Sequence, residues 1–324
     1  MDANQKIKIY SNMFLTREFE QTTINLFEKG EIAGWLHSGV GQELVGSVLC
    51  PLLDEKDYII PYHRSKSYFL ARGVKPHHVL AEIMGRRDGI CGGVGGEAHL
   101  ADISKGLLGS SGILGAGMPI SLGTAFKQVY MGEKAITICS FGDGSVPLGA
   151  FHETLNFAAT WNLPIVFICE NNFYAELSPI TVGMKQTNIG KKAEGYGMPG
   201  ESLDGYDLDV VYSALKTAIE RARGGGGPTL LEFKTYRWRG HFEGDPQNYR
   251  TKEEISSWKS RDPLDRLRTQ LIENQFVTEQ ELEEIESNIQ NEMIDAVDFA
   301  RNSPYPNKED ILSNVYVNSA GFGG

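Results

Sequence analysis

The chain has 324 residues, with 31 Lys and Arg against 42 Asp and Glu and a formal net charge of −11. That length buries one large core with room for a helical extension, and the acidic balance argues against a nucleic-acid surface, which needs clustered Lys and Arg. No apolar run reaches the roughly 18 residues of a membrane span and no basic-then-apolar start suggests a signal peptide, so a cytoplasmic protein with no membrane association is expected.

In chain order, residues 1–50 read as a helical N-terminal segment, with Phe14, Phe19, Ile24 and Phe27 giving an apolar side before Gly30. Residues 51–240 alternate strand and helix signals, which predicts an α/β fold: a doubly wound, mostly parallel sheet with helices on both faces. Within it, DYIIPY is strand-like and leads into His63 and Arg64. The run GICGGVGGEAHL (Gly89 to Leu100) demands a tight backbone but does not itself require a ligand, and its His99 reads as a buried, hydrogen-bonded histidine outside any site. Gly112-Ile113-Leu114-Gly115 precedes a helical segment, Met118 to Val129, and fits either ligand support or a close helix–strand approach. Val210 to Arg223 predicts a helix stopped by Gly224 to Gly227 and Pro228, and Thr229 to Tyr236 a returning strand. Residues 241–324 read as a loop, a charge-rich helical extension over Lys252 to Arg301 with Trp258, Leu264, Leu267 and Leu271 as one buried stripe, and a mobile Gly-rich tail. The four cysteines, at positions 50, 91, 139 and 169, lack metal-ligand spacing and are expected as structural thiols.

The most chemical stretch runs from Gly142 to Ala175, GDGSVPLGAFHETLNFAATWNLPIVFICENNFYA. Short apolar runs, Ala135 to Phe141 and Pro164 to Cys169, flank a segment in which Leu148, Phe151, Leu155 and Ala158 recur at helical spacing. The unit therefore predicts strand, loop, helix, strand, and its two parallel strands end on the same sheet edge, where open α/β folds bind ligands. Asp143 at one strand end and Asn172 at the other can share a hard cation, with the backbone carbonyl of Tyr174 as a third ligand. Gly142 and Gly144 allow a close backbone approach, and the following helix offers free N–H groups to a phosphate. Each half alone is equally readable as a tight turn.

GDG followed about thirty residues later by NN resembles the thiamine-diphosphate fingerprint. The similarity extends in order through HSGVGQE (His37 to Glu43), DYIIPYHRSKSYFLARG (Asp57 to Gly73), the Gly-rich run, SSGILGAGMPISLG (Ser110 to Gly123), GYGMPG with LDGYD (Gly195 to Asp207) and TYRWRGHFEGDPQNYR (Thr235 to Arg250). Together these resemble the alpha subunit of the first component of 2-oxo acid and acetoin dehydrogenase complexes. The resemblance implies a thiamine-diphosphate-binding fold over residues 51–240, with thiamine diphosphate and Mg2+ as cofactors. It implies that His63, Arg64, Gly112, Leu114, Asp143, Gly144, Ser145, Asn172, Tyr174 and His241 bind the cofactor. Of these, Asp143, Asn172 and Tyr174 would hold the metal. His37 and His241 would be catalytic, His being suited to proton handling near neutral pH. By itself, Arg64 is also readable as a surface ion-pair partner, and either histidine as structural.

The implied chemistry forms a carbanion on the cofactor from pyruvate, acetoin or a related small 2-oxo substrate and passes the acyl unit to a lipoyl acceptor. The implied partners are a transketolase-like beta subunit, in an alpha2beta2 assembly, and a lipoyl-bearing acyltransferase. Phe242 stands where mitochondrial pyruvate enzymes carry a regulatory phosphoserine, so no phosphorylation switch is expected there. Lys66 and Ser67 depart from the pattern, replacing a His and a Gly, and leave substrate and acceptor open. Two other readings stand beside the dehydrogenase: a thiamine-dependent carboligase without a lipoyl partner, and a non-catalytic scaffold.

Overall fold

The computed structural model describes residues 1–310. Its helices are α1 (Ala3–Glu28), α2 (Glu43–Leu49), α3 (Lys66–Ala71), α4 (Pro76–Ile83), α5 (Gly117–Tyr130), α6 (Gly149–Thr160), α7 (Ile180–Gly183), α8 (Leu208–Arg223), α9 (Lys252–Lys259), α10 (Pro263–Glu273) and α11 (Glu279–Asn302). The strands are β1 (Tyr58–Ile60), β2 (Thr137–Gly142), β3 (Ile165–Asn171), β4 (Tyr174–Ala175), β5 (Ser178–Pro179), β6 (Gly200–Asp204) and β7 (Thr229–Lys234). Five of them form one parallel sheet in the order β1-β2-β3-β7-β6, and β4 and β5 make a small antiparallel pair.

Strand periodicity explains the layering. In β3, Val166 and Ile168 join the core on one face of the sheet, while Ile165, Phe167 and Cys169 join the core on the other. Both faces being covered, every residue of β3 is buried, and its sequence is continuously apolar until Glu170 and Asn171 at its carboxyl end. The first face carries α1 to α4, α8, α10 and α11; the second carries α5 and α6. The doubly wound architecture expected from the sequence is present.

Several local expectations are corrected. The N-terminal fifty residues are not continuously helical: α1 and α2 are separated by a turn and an irregular segment over residues 29–42, which carries His37. Phe19 and Ile24 are buried, but Leu148 is the exposed cap residue of α6 rather than part of its buried side. The C-terminal stripe divides between two helices, because Leu264, Leu267 and Leu271 of α10 enter the core while Trp258 of α9 stacks on Tyr236. Lys66 and Ser67 lie at the start of α3, both buried, rather than in a loop. His99 is exposed. Cys139 and Cys169 are buried free thiols in β2 and β3, whereas Cys91 is partly exposed. The tail from Ala320 lies outside the described residues. Among those described, no helix is long and apolar enough to cross a membrane.

Capping fixes the ends of the long helices that buttress the sheet. Asp2 accepts from the Gln5 backbone N–H at 2.8 Å while the Gln5 side chain accepts from the Asp2 N–H at 3.0 Å, and Thr278 and Glu281 repeat the same box on α11. Arg17 of α1 reaches Glu43 at the start of α2 and Asp262 at the cap of α10, locking N-terminal and C-terminal helices to one another. The region carrying His37 is thus clamped between elements distant in sequence.

Candidate active site

Because β1, β2, β3 and β7 are parallel and adjacent, their carboxyl ends open onto one edge of the sheet. Four loops leave from there: His63-Arg64 after β1, Asp143 to Ser145 in a 3₁₀ turn after β2, Asn172 to Tyr174 after β3, and Arg237 to His241 after β7. Two further segments close the space, the irregular segment around His37 and the loop Gly112 to Leu114 ahead of α5. They enclose a cleft of about 370 Å³, within the range of small-molecule sites. All eleven residues singled out in the sequence line it: His37, His63, Arg64, Gly112, Leu114, Asp143, Gly144, Ser145, Asn172, Tyr174 and His241.

Asp143 is buried, and its Oδ2 has no hydrogen-bond partner. Burial pushes its carboxyl up to about 6. A carboxylate so placed is stabilised by an added cation. Across the strand end, the Asn172 side-chain oxygen accepts from the Tyr174 backbone N–H at 3.3 Å, and its amide nitrogen donates to Gln42 Oε1 at 3.2 Å, which fixes which atom is which. The Tyr174 carbonyl lies 3.5 Å from Arg237 Nη1, while its hydroxyl points away to Glu254. Gly144 sits where a Cβ would meet Ala175 Cβ at 3.0 Å, so only glycine leaves that wall of the cleft its present shape.

Two guanidinium groups are buried at the cleft with little negative charge nearby. Arg64 donates to the Ser38 and His241 carbonyls, and burial together with the neighbouring Arg237 holds it down to about 10. Arg237 is likewise lowered, by burial, and its Nε has no partner. Buried cations without an ion-pair contact, beside a carboxylate with one unpartnered oxygen, are the complement of an anion carrying a metal ion.

The histidines complete the cleft. Arg64 Nη2 lies 3.0 Å from His241 Nδ1 and Arg237 Nη1 lies 3.5 Å from the same atom. Guanidinium groups only donate, so Nδ1 is the bare nitrogen and Nε2 carries the proton. Burial and the two arginines hold His241 down to about 3, leaving it a neutral N–H donor rather than an imidazolium. His63 is held down to about 2, by burial and by Arg64. The His37 ring centre lies 5.1 Å from that of His241 and 5.4 Å from that of His63.

The loop bearing His241 is internally tied. Asp245 accepts from the His241 N–H at 2.6 Å and from the Tyr249 hydroxyl at 2.8 Å; Arg237 donates to that hydroxyl at 2.8 Å, and Arg250 to the Arg237 carbonyl at 2.7 Å. Phe242 packs edge-on against Trp35, ring centres 4.4 Å apart.

The Gly-rich run makes a different contact from a phosphate cradle. The buried Glu82 carboxylate accepts the backbone N–H groups of Cys91, Gly93, Gly95 and Gly96 at 2.7 to 3.2 Å. At Gly95 a Cβ would fall 2.5 Å from the His99 carbonyl oxygen, so the wrap requires glycine there.

Sequence reasoning missed Arg237, although the argument that selects Arg64, an Arg just beyond a strand end, applies to it equally. Gln42, which orients Asn172, lay inside a quoted motif but carried no chemical signal. Lys66, and Ser67 beside it, are absent from the cleft lining.

A parallel sheet whose carboxyl edge presents a carboxylate with one unpartnered oxygen, an amide oxygen and two buried arginines around one cleft defines an α/β protein with a polar cleft at its strand ends. The narrower identity comes from comparison with known proteins. Residues 11–309 match the family described as dehydrogenase E1 component, and the chain belongs to that family. It is 40% identical over 310 residues to the alpha subunit of acetoin:2,6-dichlorophenolindophenol oxidoreductase from Bacillus subtilis, covering 95% of this chain and 92% of the relative. It is 39% identical over 311 residues to the alpha subunit of the pyruvate dehydrogenase E1 component from Rickettsia bellii, with 96% and 95% coverage. A second acetoin oxidoreductase alpha subunit, from Cupriavidus necator, is 38% identical over 318 residues, with 98% and 96% coverage. Membership of this family implies thiamine diphosphate as the cofactor.

Proposed function

We propose that this chain is the alpha subunit of a thiamine-diphosphate-dependent dehydrogenase acting on pyruvate, acetoin or a related small 2-oxo compound. The observation that carries this reading is the unpartnered Asp143 Oδ2, buried opposite Asn172 and flanked by Arg64 and Arg237. Among the described residues no three His, Cys, Asp or Glu side chains form a metal-binding group. A cation there therefore takes one carboxylate, an amide oxygen and a carbonyl from the chain, and its other oxygens from phosphate or water. That donor set is all oxygen and mostly external, which fits Mg2+ and a diphosphate.

Thiamine diphosphate, when bound, supplies the carbanion-stabilising chemistry that side chains lack. This chain's own residues bind and orient. Asp143, Asn172 and the Tyr174 carbonyl would hold the cation, Arg64 and Arg237 would neutralise the diphosphate, and Gly112, Gly144 and Ser145 would bring backbone close to it. The packed loop around His241 would shield the bound cofactor from water with Leu114 at the lip, His63 lines the same wall as a neutral ring, and the His241 Nε2–H would donate toward developing negative charge. His37 faces the same space.

A beta subunit is the expected partner. Ile113 and Leu114 at the lip of the cleft are 70% and 49% exposed. From there Ile120 and Phe126 of α5 extend an exposed apolar strip, with Trp161 beyond α6 only 5.3 Å from Phe126 between ring centres. Contiguous exposed aromatic surface beside a half-built site supports a partner seated on it. Lys66 and Ser67, which kept a carboligase without a lipoyl partner open, lie behind the cleft wall and favour neither acceptor.

The test is a tagged pull-down from the native host, followed by assay of the assembly with pyruvate and acetoin. Co-purification of a transketolase-like beta chain and a lipoyl acyltransferase, with activity dependent on thiamine diphosphate and Mg2+, is the expected result. Full activity of an Asp143→Ala assembly at ordinary cofactor concentration overturns the assignment.

A further inference from the structure

Behind His37 lies a buried charge cluster that the proposed chemistry leaves unused. Glu97 holds His37 twice: its Oε1 accepts the His37 backbone N–H at 3.0 Å, and its Oε2 lies 3.0 Å from the ring Nδ1. Lys66 Nζ donates to Glu97 Oε1 at 2.9 Å and to the His37 carbonyl at 3.0 Å. The ring, the N–H and the carbonyl of one residue are therefore gripped by a single ion pair. Both partners are buried, and Glu20 of α1 stands 3.5 Å from Lys66 on the other side. Glu97 itself follows the Gly-rich run moored on Glu82, so its backbone is fixed as well.

We propose that Glu97, held on Lys66, is a positioning residue that fixes His37 with its proton on Nδ1 and its bare Nε2 turned to the cleft. This rests on the thiamine reading, which makes the cleft a catalytic one. An ionised carboxylate only accepts, so the nitrogen it touches carries the hydrogen. The result is complementary to His241. The two rings lie 5.1 Å apart, and one presents a proton acceptor while the other presents an N–H donor. A site built this way takes a proton at one ring and stabilises negative charge at the other without either residue changing role.

Lys66 is what keeps Glu97 ionised. Burial alone would raise Glu97, but Lys66 and the contact with His37 overcome it and hold the carboxyl down to about 2. Glu20, raised to about 7 by burial, stands on the other side of Lys66 and shares it with Glu97, which holds the shorter contact. His63, Arg64 and His241 face His37 from the cleft side, and neither His63 nor Arg64 offers negative charge. Lys66, where the chain departs from the pattern it resembles, thus reads as half of a two-residue device whose other half is Glu97.

The test uses Glu97→Gln, Lys66→Met and the double variant. In the assembled enzyme Glu97→Gln is expected to lower kcat roughly 10- to 100-fold, the usual effect of removing an orienting partner, with cofactor affinity unchanged. The double variant, which removes both charges of the pair and leaves the buried Glu20 to take up a proton, is expected to match Glu97→Gln alone, because Lys66 acts through Glu97. Ring-15N histidine spectra of the full chain, without cofactor or substrate, give the reading independent of activity. There His37 is expected as the Nδ1–H tautomer, and in Glu97→Gln, where an amide N–H donor replaces Oε2 beside the ring, the proton is expected to move to Nε2. Failure of the enzyme to act on any 2-oxo substrate defeats the functional proposal and leaves this spectrum readable. An unchanged Nδ1–H tautomer of His37 in folded Glu97→Gln overturns the inference, as does a double variant as fast as the parent.

Discussion

Asp143→Asn removes one charge and keeps nearly the same shape, which makes it the sharpest probe of the cleft. Burial raises the Asp143 carboxyl from 3.8 to about 6. A rise of roughly two units means that the ionised group disfavours the folded, cation-free chain by about 3 kcal/mol. The penalty is absent below pH 3.8. It grows between 3.8 and about 6, where the unfolded carboxyl ionises first, and is constant above. At roughly 2 cal/mol/K per residue, the unfolding entropy of a chain this long converts about 3 kcal/mol into a Tm rise of about 4 °C. Thermal unfolding in chelator, followed by circular dichroism, should therefore show the variant more stable than the parent at pH 8. The gain should be roughly half as large at pH 5. Adding Mg2+ and thiamine diphosphate should reverse the order, because ligand binding stabilises only the parent. A variant less stable than the parent in chelator at pH 8, or a gain independent of pH, refutes the argument that this carboxylate is held in wait for a cation.

Gly144→Ala places a methyl group 3.0 Å from Ala175 Cβ at the cleft wall; cofactor affinity by calorimetry should fall roughly tenfold or more, with far-UV circular dichroism unchanged. His63 is held down to about 2 in the fold, so it stays neutral there while the unfolded chain takes up a proton below about 6.5. Its contribution is present above that value and is lost as pH falls toward the folded value, by about 2 kcal/mol at pH 5. His63→Asn should accordingly lose less stability between pH 7 and pH 5 in denaturant titrations than the parent does.

The β2-α6-β3 unit was legible because its signals are local. Buried parallel strands are written as short apolar runs, the intervening helix shows Phe151, Leu155 and Ala158 at turn spacing, and parallel pairing then forces Asp143 and Asn172 onto one edge. Contacts between distant segments were not legible. Glu82 lies on α4 among apolar neighbours and looks like a solvated helix position, yet it is buried and organises backbone N–H groups nine to fourteen residues later. Lys66 attracted attention only as a mismatch. Its partners come from α1 and from the end of the Gly-rich run, and no periodicity connects residues 20, 66 and 97. Trp258 shows the same limit from the other side, since helical spacing continues across the break between α9 and α10 and hides the change of direction.

Mooring the Gly-rich run on Glu82 has a consequence for how the site responds to its cofactor. Where a loop awaits an external phosphate, its amides are open to solvent until the ligand arrives. Here the counter-anion is supplied by the chain itself, so the amides of Cys91, Gly93, Gly95 and Gly96 are already engaged in the free protein. Their hydrogen exchange should be slow with or without cofactor. This run, which leads to Ala98 at the cleft, then adds no ordering cost to binding, and the segments whose protection does change on loading will be those following β2, β3 and β7.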